Sequence, residues 1–448
     1  MKTRIVHSAD VINCMRFDGS YHNAEVNIYD DVIKHHSSHP LSFYCTEIFT
    51  SGRNKRVYTT KEYGYPFLSN SDVVSANPFL SCKYSSKKYG YDEKAVLKKG
   101  MILTGRVGAI GQTAFVPEYL EKENAMGSDN IIRICVKPEY KNGFIYAYLA
   151  SRIGSLSFWK HATGGVQPFI TDVMVGTLPI PDFPASFQKE VDDLIQESAR
   201  LREEAHFALK EAHHIIENNI DIPVFSPSHS TSIKNICRSH TTRLEGFYYS
   251  SENRHFYNEI TSRYDCKPLK DYTEKIFRPG IFKREYVDNG VMFLGGADIM
   301  RSIPRSEKQL SFRQVKNMPE LKVEKGWILV TCGGTIGNTV YIDNQLAQCV
   351  VSQHVMRIVP RKDISSGFLY AFLSSEIGYR LITMFTYGAV IPSLEPHHLE
   401  LVPIPTLNRE AIERADELVS EYARKLEIAK EKELKAIAMV EQEIEKWN

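Results

Sequence analysis

Residues 99–111 read KGMILTGRVGAIG, and residues 325–337 read KGWILVTCGGTIG. Both hold a Gly, an Ile-Leu pair and a closing Gly-x-Ile-Gly, 226 residues apart. The first reads as strand, tight turn, strand. Ile102 and Leu103 begin the first strand, and Gly105, Gly108 and Gly111 free the backbone for the turn. Three further blocks recur in the same order. FIYAYLASRIG (144–154) matches FLYAFLSSEIG (368–378), and Pro179-Ile180-Pro181 matches Pro403-Ile404-Pro405, both at an offset of 224. Arg16-Phe17-Asp18-Gly19 echoes Arg243-Leu244-Glu245-Gly246 at 227. Four ordered blocks at a nearly constant offset identify an internal duplication.

Outward from these blocks, each copy has the same plan. A mixed, strand-rich part is followed by a charged helical run. The boundaries are 1–185 for the first globular part, 186–219 for the first long helix and 220–240 for a Pro/Ser-containing linker. The second globular part is 241–408 and the second long helix 409–448. SDNIIRICV (128–136) and SQHVMRIV (352–359) alternate as strands do. Segments 142–157 and 366–382 read as helices packed through Phe144, Ala147 and Tyr148 and through Phe368, Ala371 and Phe372. The fold class is α+β. In the first long helix Phe187, Val191, Leu194, Ser198, Leu201, Ala205, Ala208, Ala212 and Ile215 fall at alternating spacings of four and three. In the second, Ile412, Ala415, Val419, Tyr422, Leu426, Ala429, Ala436, Val440 and Trp447 continue a similar pattern, with a break at Glu433. Such a seam predicts coiled-coil pairing of the two helices.

The chain has 448 residues, 43% of them hydrophobic and 24% charged, an ordinary globular composition. No apolar run approaches the ~18 residues of a membrane span. The opening MKTRIVHSADVIN lacks a signal-peptide core. The eight Cys are scattered without ligand spacing, as expected of reduced thiols in a cytoplasm. Net charge is only +1, but it is segregated. Helix 186–218 has four basic against eight acidic side chains, and 409–447 has eight against eleven. Residues 53–106 hold eleven basic and four acidic side chains, and residues 275–316 hold nine and four. Aromatics are interleaved in both, among them Tyr58, Phe67, Tyr84 and Tyr89, then Phe277, Phe282, Tyr286 and Phe293. Basic groups beside aromatics at matching places in two repeats fit phosphate positioning and base reading. A repeated frame with diverged basic stretches suggests two heads for two different sequences. The candidate DNA-contacting residues are Arg53, Lys55, Arg56, Lys83, Lys87 and Lys88 in the first head, and Arg278, Lys283, Arg284, Arg301, Arg305 and Lys308 in the second.

The sequence offers no catalytic centre. It has no P-loop, no HExxH and no GxSxG. Asn77-Pro78-Phe79 lacks the second Pro of an amino-methyltransferase motif. The histidines at 35, 36, 39, 213, 214, 397 and 398 have no metal-ligand spacing. Glu433-Leu434-Lys435 lies on the second long helix.

The duplicated set resembles the specificity (S) subunit of type I restriction–modification systems. The resemblance rests on the globular–helix–globular–helix order and on the turns at 100–111 and 326–337. It also rests on Gly164 to Pro168 with Leu178–Pro181, and Gly388 to Pro392 with Val402–Pro405. It implies two target-recognition domains separated by two long antiparallel coiled-coil helices, each domain reading one half of a bipartite, asymmetric DNA site. The expected partners are double-stranded DNA, two DNA adenine methyltransferase (M) subunits and a restriction/translocase (R) subunit, in a prokaryotic cytoplasm and a phage-defence role. The chain itself would carry no catalytic residue, metal or cofactor; S-adenosylmethionine would belong to the methyltransferase. A helix of about 33 residues is roughly 50 Å long, or ~15 base pairs of DNA. Two other readings remain open on the residues: a coiled-coil scaffold without DNA, and a nucleic-acid enzyme with an unrecognised centre.

Overall fold

A computed structural model describes residues 5–447 apart from 20, 23, 54, 81, 165, 222–231, 239–245, 389 and 391. The chain forms two compact units, residues 1–203 with 428–448, and residues 204–427. Among the described residues no helix is long and apolar enough to cross a membrane.

In the first unit a four-stranded antiparallel sheet runs in the order Cys45–Thr50, Ile131–Val136, Ile102–Gly105, Thr113–Phe115. The expected strand–turn–strand is its edge: Ile102 pairs with Phe115 and Thr104 with Thr113. A second sheet runs Tyr58–Thr59, Lys83–Ser86, Gly64–Leu68, Met126–Gly127, the last pair parallel. Ser38–Pro40 and Pro179–Pro181 form a separate antiparallel pair, a setting that tolerates proline's missing N–H.

The second unit repeats this plan. Thr273–Phe277, Val355–Pro360, Ile328–Thr331 and Thr339–Tyr341 form the antiparallel sheet. Gln309–Leu310, Tyr286–Leu294 and Val350–Val351 form the second sheet, again closed by a parallel pair. Cys266–Pro268 pairs with Pro403–Pro405.

The repeated block FIYAYLASRIG is a helix, a corner and a helix, where one helix was expected. Asn142–Ala150 ends at Ser151, whose extended backbone (ψ 163°) starts Arg152–His161. The Ser151 hydroxyl caps the new helix by accepting from the Gly154 amide at 3.1 Å. A Cβ on Gly154 would sit on the Tyr148 carbonyl oxygen. Ser375 and Gly378 make the same corner between Ser366–Ser374 and Glu376–Thr383. Helices at Ser8–Cys14, Ala24–Lys34 and Ser251–Arg263 were not expected from the sequence. The linker contains a helix, Ile233–Arg238; most of its other residues, and Arg243 to Glu245 of the fourth repeated block, lie outside the described residues.

The long helices are Ala185–Asn219 and Arg409–Glu445. Each is shared between the units, because its buried face belongs to the core of whichever globular part it touches. In the first unit Val191 and Ile195 share a core with Ile437, Val440 and Ile444 and with helix residues Phe144 and Tyr148. In the second, Ala205, Leu209, Ala212 and Ile216 share one with Ala415, Val419, Tyr422 and Leu426. The buried stripe is therefore wider than a coiled-coil seam, since it serves a helix partner and a domain together. Leu194, Phe187 and Ile215 of the expected seam are only half-buried. Within each unit the helix segments run antiparallel. Ser198 donates to the Ala429 carbonyl at 2.8 Å in the first, and Glu204 meets Lys425 at 3.1 Å in the second.

The seam break at Glu433 is a buried polar node. Tyr146 donates its hydroxyl to Oε1 of Glu433, and Arg202 binds Oε2 at 2.8 Å. The equivalent positions of the second unit, 224 residues along, are Leu209, Tyr370 and Leu426, with Tyr370 stacked on Tyr422 at 6.0 Å. One architecture thus carries a charged node in one copy and an apolar contact in the other.

Candidate nucleic-acid interface

In each unit three loops meet at one end of the main sheet. In the first unit they are the glycine turn 106–112, the turn Ser128–Asn130 and the hairpin 163–169. The Arg106 amide donates to the Asn130 carbonyl at 2.8 Å, and the Arg106 carbonyl accepts from the Ile170 amide at 3.0 Å. Thr163 and Phe169 close the hairpin, with Gly164 at φ 99°. In the second unit Cys332 takes the place of Arg106, its amide donating to the His354 carbonyl at 3.0 Å, and Tyr387 and Ser393 close the hairpin, with Gly388 at φ 90°. Left-handed backbone at these glycines explains why a side chain is excluded there.

The middle loop is fixed by a side chain that sequence reasoning passed over. Arg133 is fully buried. Its guanidinium donates to the carbonyls of Ile131 at 2.8 Å, Ala95 at 3.1 Å, Gly127 at 2.5 Å and Ser128 at 3.4 Å. Arg357 does the same for Ser352 (2.9 Å), Val355 (2.6 Å), Leu321 (3.3 Å) and Val351. Burial pulls both guanidinium groups down to about 10, still charged at neutral pH. Carbonyl oxygens in this number substitute for water around a buried cation. The loops they hold read Ser-Asp-Asn in one unit and Ser-Gln-His in the other.

The candidate basic residues distribute unevenly around these loops. Arg56 binds Asp129 at 2.5 Å, Arg53 approaches the same carboxylate at 3.6 Å, and Lys55, Arg56 and Asp129 line one depression with Phe67, Ser85 and Asp92. The hydrogen bond to Asp129 holds the Arg56 guanidinium above its ordinary value. Lys83 lies over the Tyr58 ring at 4.7 Å, and Lys88 over Tyr89 at 5.1 Å. The Lys87 ammonium donates to the Glu62 carbonyl at 3.0 Å. All six are exposed. In the second unit Arg284 donates to the Gln353 amide oxygen at 3.2 Å. Arg278 is half-buried and paired with Glu395 at 2.5 Å, beside the Tyr387 hydroxyl at the hairpin base. Lys283, Arg305 and Lys308 are exposed and Arg301 is half-buried. Among the described residues no group of three His, Cys, Asp or Glu could hold a metal ion.

Sequence reasoning missed Asp129 and Gln353. The signal was there: they differ inside the two stretches SDNIIRI and SQHVMRI, whose Ser, Ile and Arg recur.

Residues 262–437 match the family model of the type I restriction modification DNA specificity domain. The first copy lies outside the matched span. Among solved structures, the chain is similar to the type I restriction-modification system S subunit from M. genitalium, at 14% identity over 92% of this chain and 95% of that one, with a TM-score of 0.33. It is also similar to the HsdS subunit from Thermoanaerobacter tengcongensis, at 15% identity over 92% and 96%, with a TM-score of 0.28. No curated protein sequence matches the chain.

Proposed function

We propose that this chain is the DNA sequence-specificity subunit of a type I restriction–modification complex, or of a related defence complex. Its two globular parts act as target-recognition domains for the two halves of a bipartite, asymmetric site. Its long helices pair along their length, set the spacing of those domains and recruit two DNA adenine methyltransferase subunits. A restriction/translocase subunit joins the same assembly. S-adenosylmethionine is bound by the methyltransferase, which flips the target adenine; the specificity chain contributes recognition.

The observation that carries this reading is one loop frame present twice with different side chains in it. Arg133 and Arg357 hold identical turns, while the residues those turns present are Asp129 in one and Gln353 in the other. A frame that stays constant while the side chains on its turn diverge suits a pair of readers for two unlike sequences. The family match over the second copy supports DNA as what is read.

The test is DNA binding by the chain co-purified with its methyltransferase. Neutralising Arg53, Lys55, Arg56, Lys83, Lys87 and Lys88 together should weaken binding and flatten its salt dependence, by about one unit of log–log slope for each phosphate no longer neutralised. The matching set is Arg278, Lys283, Arg284, Arg301, Arg305 and Lys308. Unchanged affinity and salt slope after either set would overturn the assignment of that head.

A further inference from the structure

The two loop frames hold an arginine each, and the surroundings of those arginines correspond. Phe67 and Phe293 occupy equivalent places: each pairs in parallel with the first residue of the short strand before the Ser128 or Ser352 turn, Phe67 with Met126 and Phe293 with Val350. The Arg56 guanidinium lies over the Phe67 ring at 5.7 Å, and that of Arg284 over the Phe293 ring at 5.5 Å. Arg56 donates Nη2 to Asp129, and Arg284 donates Nη2 to Gln353. Asp129 and Gln353 are the same position in the two copies, one residue after the serine. Each acceptor is itself mostly buried, the Asp129 side chain at 12% exposure and Gln353 at 7%. Each arginine is exposed. A planar fork backed by a ring and anchored at one nitrogen has given up most of its rotamer freedom before any ligand arrives. The guanidinium is exposed, and two parallel N–H groups match the O6 and N7 acceptors of guanine in the major groove.

We propose that Arg56 and Arg284 are equivalent guanine readers, one for each half-site, and that Asp129 and Gln353 are the positioning residues that aim them. This rests on the reading of the chain as a DNA-specificity subunit and adds to it a base and a position. Each half-site then contains a G·C pair at the position facing its arginine. The remaining basic residues contact phosphates and are indifferent to sequence.

The experiment is selection from a random double-stranded DNA pool by the full chain in complex with its methyltransferase, followed by sequencing. Arg56→Ala should relax one G·C position of one half-site, with a loss of discrimination of about ten- to a hundred-fold, the range of one bidentate pair. Arg284→Ala should do so in the other half-site only. Asp129→Ala and Gln353→Ala should relax the same positions as their arginines and no others. A merely structural role would lower affinity for every sequence alike. Lys83→Ala is the control that lowers affinity without altering the motif. If the wild-type complex selects a motif but the arginine variants leave every letter of it unchanged, the guanine assignment is wrong and the specificity-subunit reading stands. If the wild-type complex selects no motif, the reading itself fails and takes the assignment with it. Thermal melting of each variant identifies any that fails to fold; for those, Arg56→Lys and Arg284→Lys keep the charge and remove the fork.

Discussion

Arg133 and Arg357 are the residues on which the turns at Ser128 and Ser352 depend. Replacing either with Met keeps most of the apolar stem but removes the guanidinium donors that four carbonyls share. At about 1–3 kcal/mol for a buried group left unsatisfied, the destabilisation should be at least about 2 kcal/mol. Amide exchange should rise first at 126–131 in Arg133→Met and at 350–355 in Arg357→Met, with the other unit's loop unchanged. His161 provides a pH test at the same scale. Burial holds its imidazole below the ordinary value, and its Nδ1 faces the Ser157 carbonyl at 2.9 Å. The folded chain therefore binds this proton less readily than the unfolded chain. The group's contribution is present above pH ~6.5 and is lost as pH falls through that value toward the folded one. His161→Gln should flatten the acid limb of a stability-versus-pH curve; an unaltered limb would remove His161 from the account.

At the scale of elements, the Glu433 node and the serine corners make separate demands. Arg202→Met alone leaves a buried carboxylate half-satisfied and should cost about 3–5 kcal/mol. Glu433→Leu with Arg202→Leu installs the pair that the second unit already uses, Leu209 and Leu426, and should be neutral or stabilising by about 1–4 kcal/mol. Chemical denaturation of both variants checks the order; a double variant less stable than the single would contradict it. Gly154→Ala pushes a methyl group into the Tyr148 carbonyl and should destabilise by about 1–3 kcal/mol, as overpacking does. These features also mark what the sequence made legible. The strand–turn–strand and the Pro-Ile-Pro pairs were readable because glycine and proline restrict the backbone locally. The corner at Ser151 was not, since FIYAYLASRIG is a continuous helical pattern and only tertiary packing decides that Gly154 must approach Tyr148. Glu433 read as a flaw in a seam because its partners Tyr146 and Arg202 are distant in sequence. Asp129 and Gln353 were hidden for a different reason: attention to net charge selects lysines and arginines and passes over the acceptors that aim them.

For the whole molecule, the proposed division of labour makes the helices a ruler and the loops the readers. One heptad inserted at equivalent points of both long helices adds about 10 Å, so the unread spacer of the DNA site should grow by about three base pairs with both half-sites unchanged. Exchanging residues 53–136 for the equivalent stretch of a chain with another specificity should change one half-site and leave the other intact. Most direct of all is mapping of methylated adenines in DNA modified by the chain together with its methyltransferase. The expected result is a motif of two unlike half-sites, each containing a G·C pair, separated by several unread base pairs; a single continuous motif, or two identical half-sites, would contradict the account.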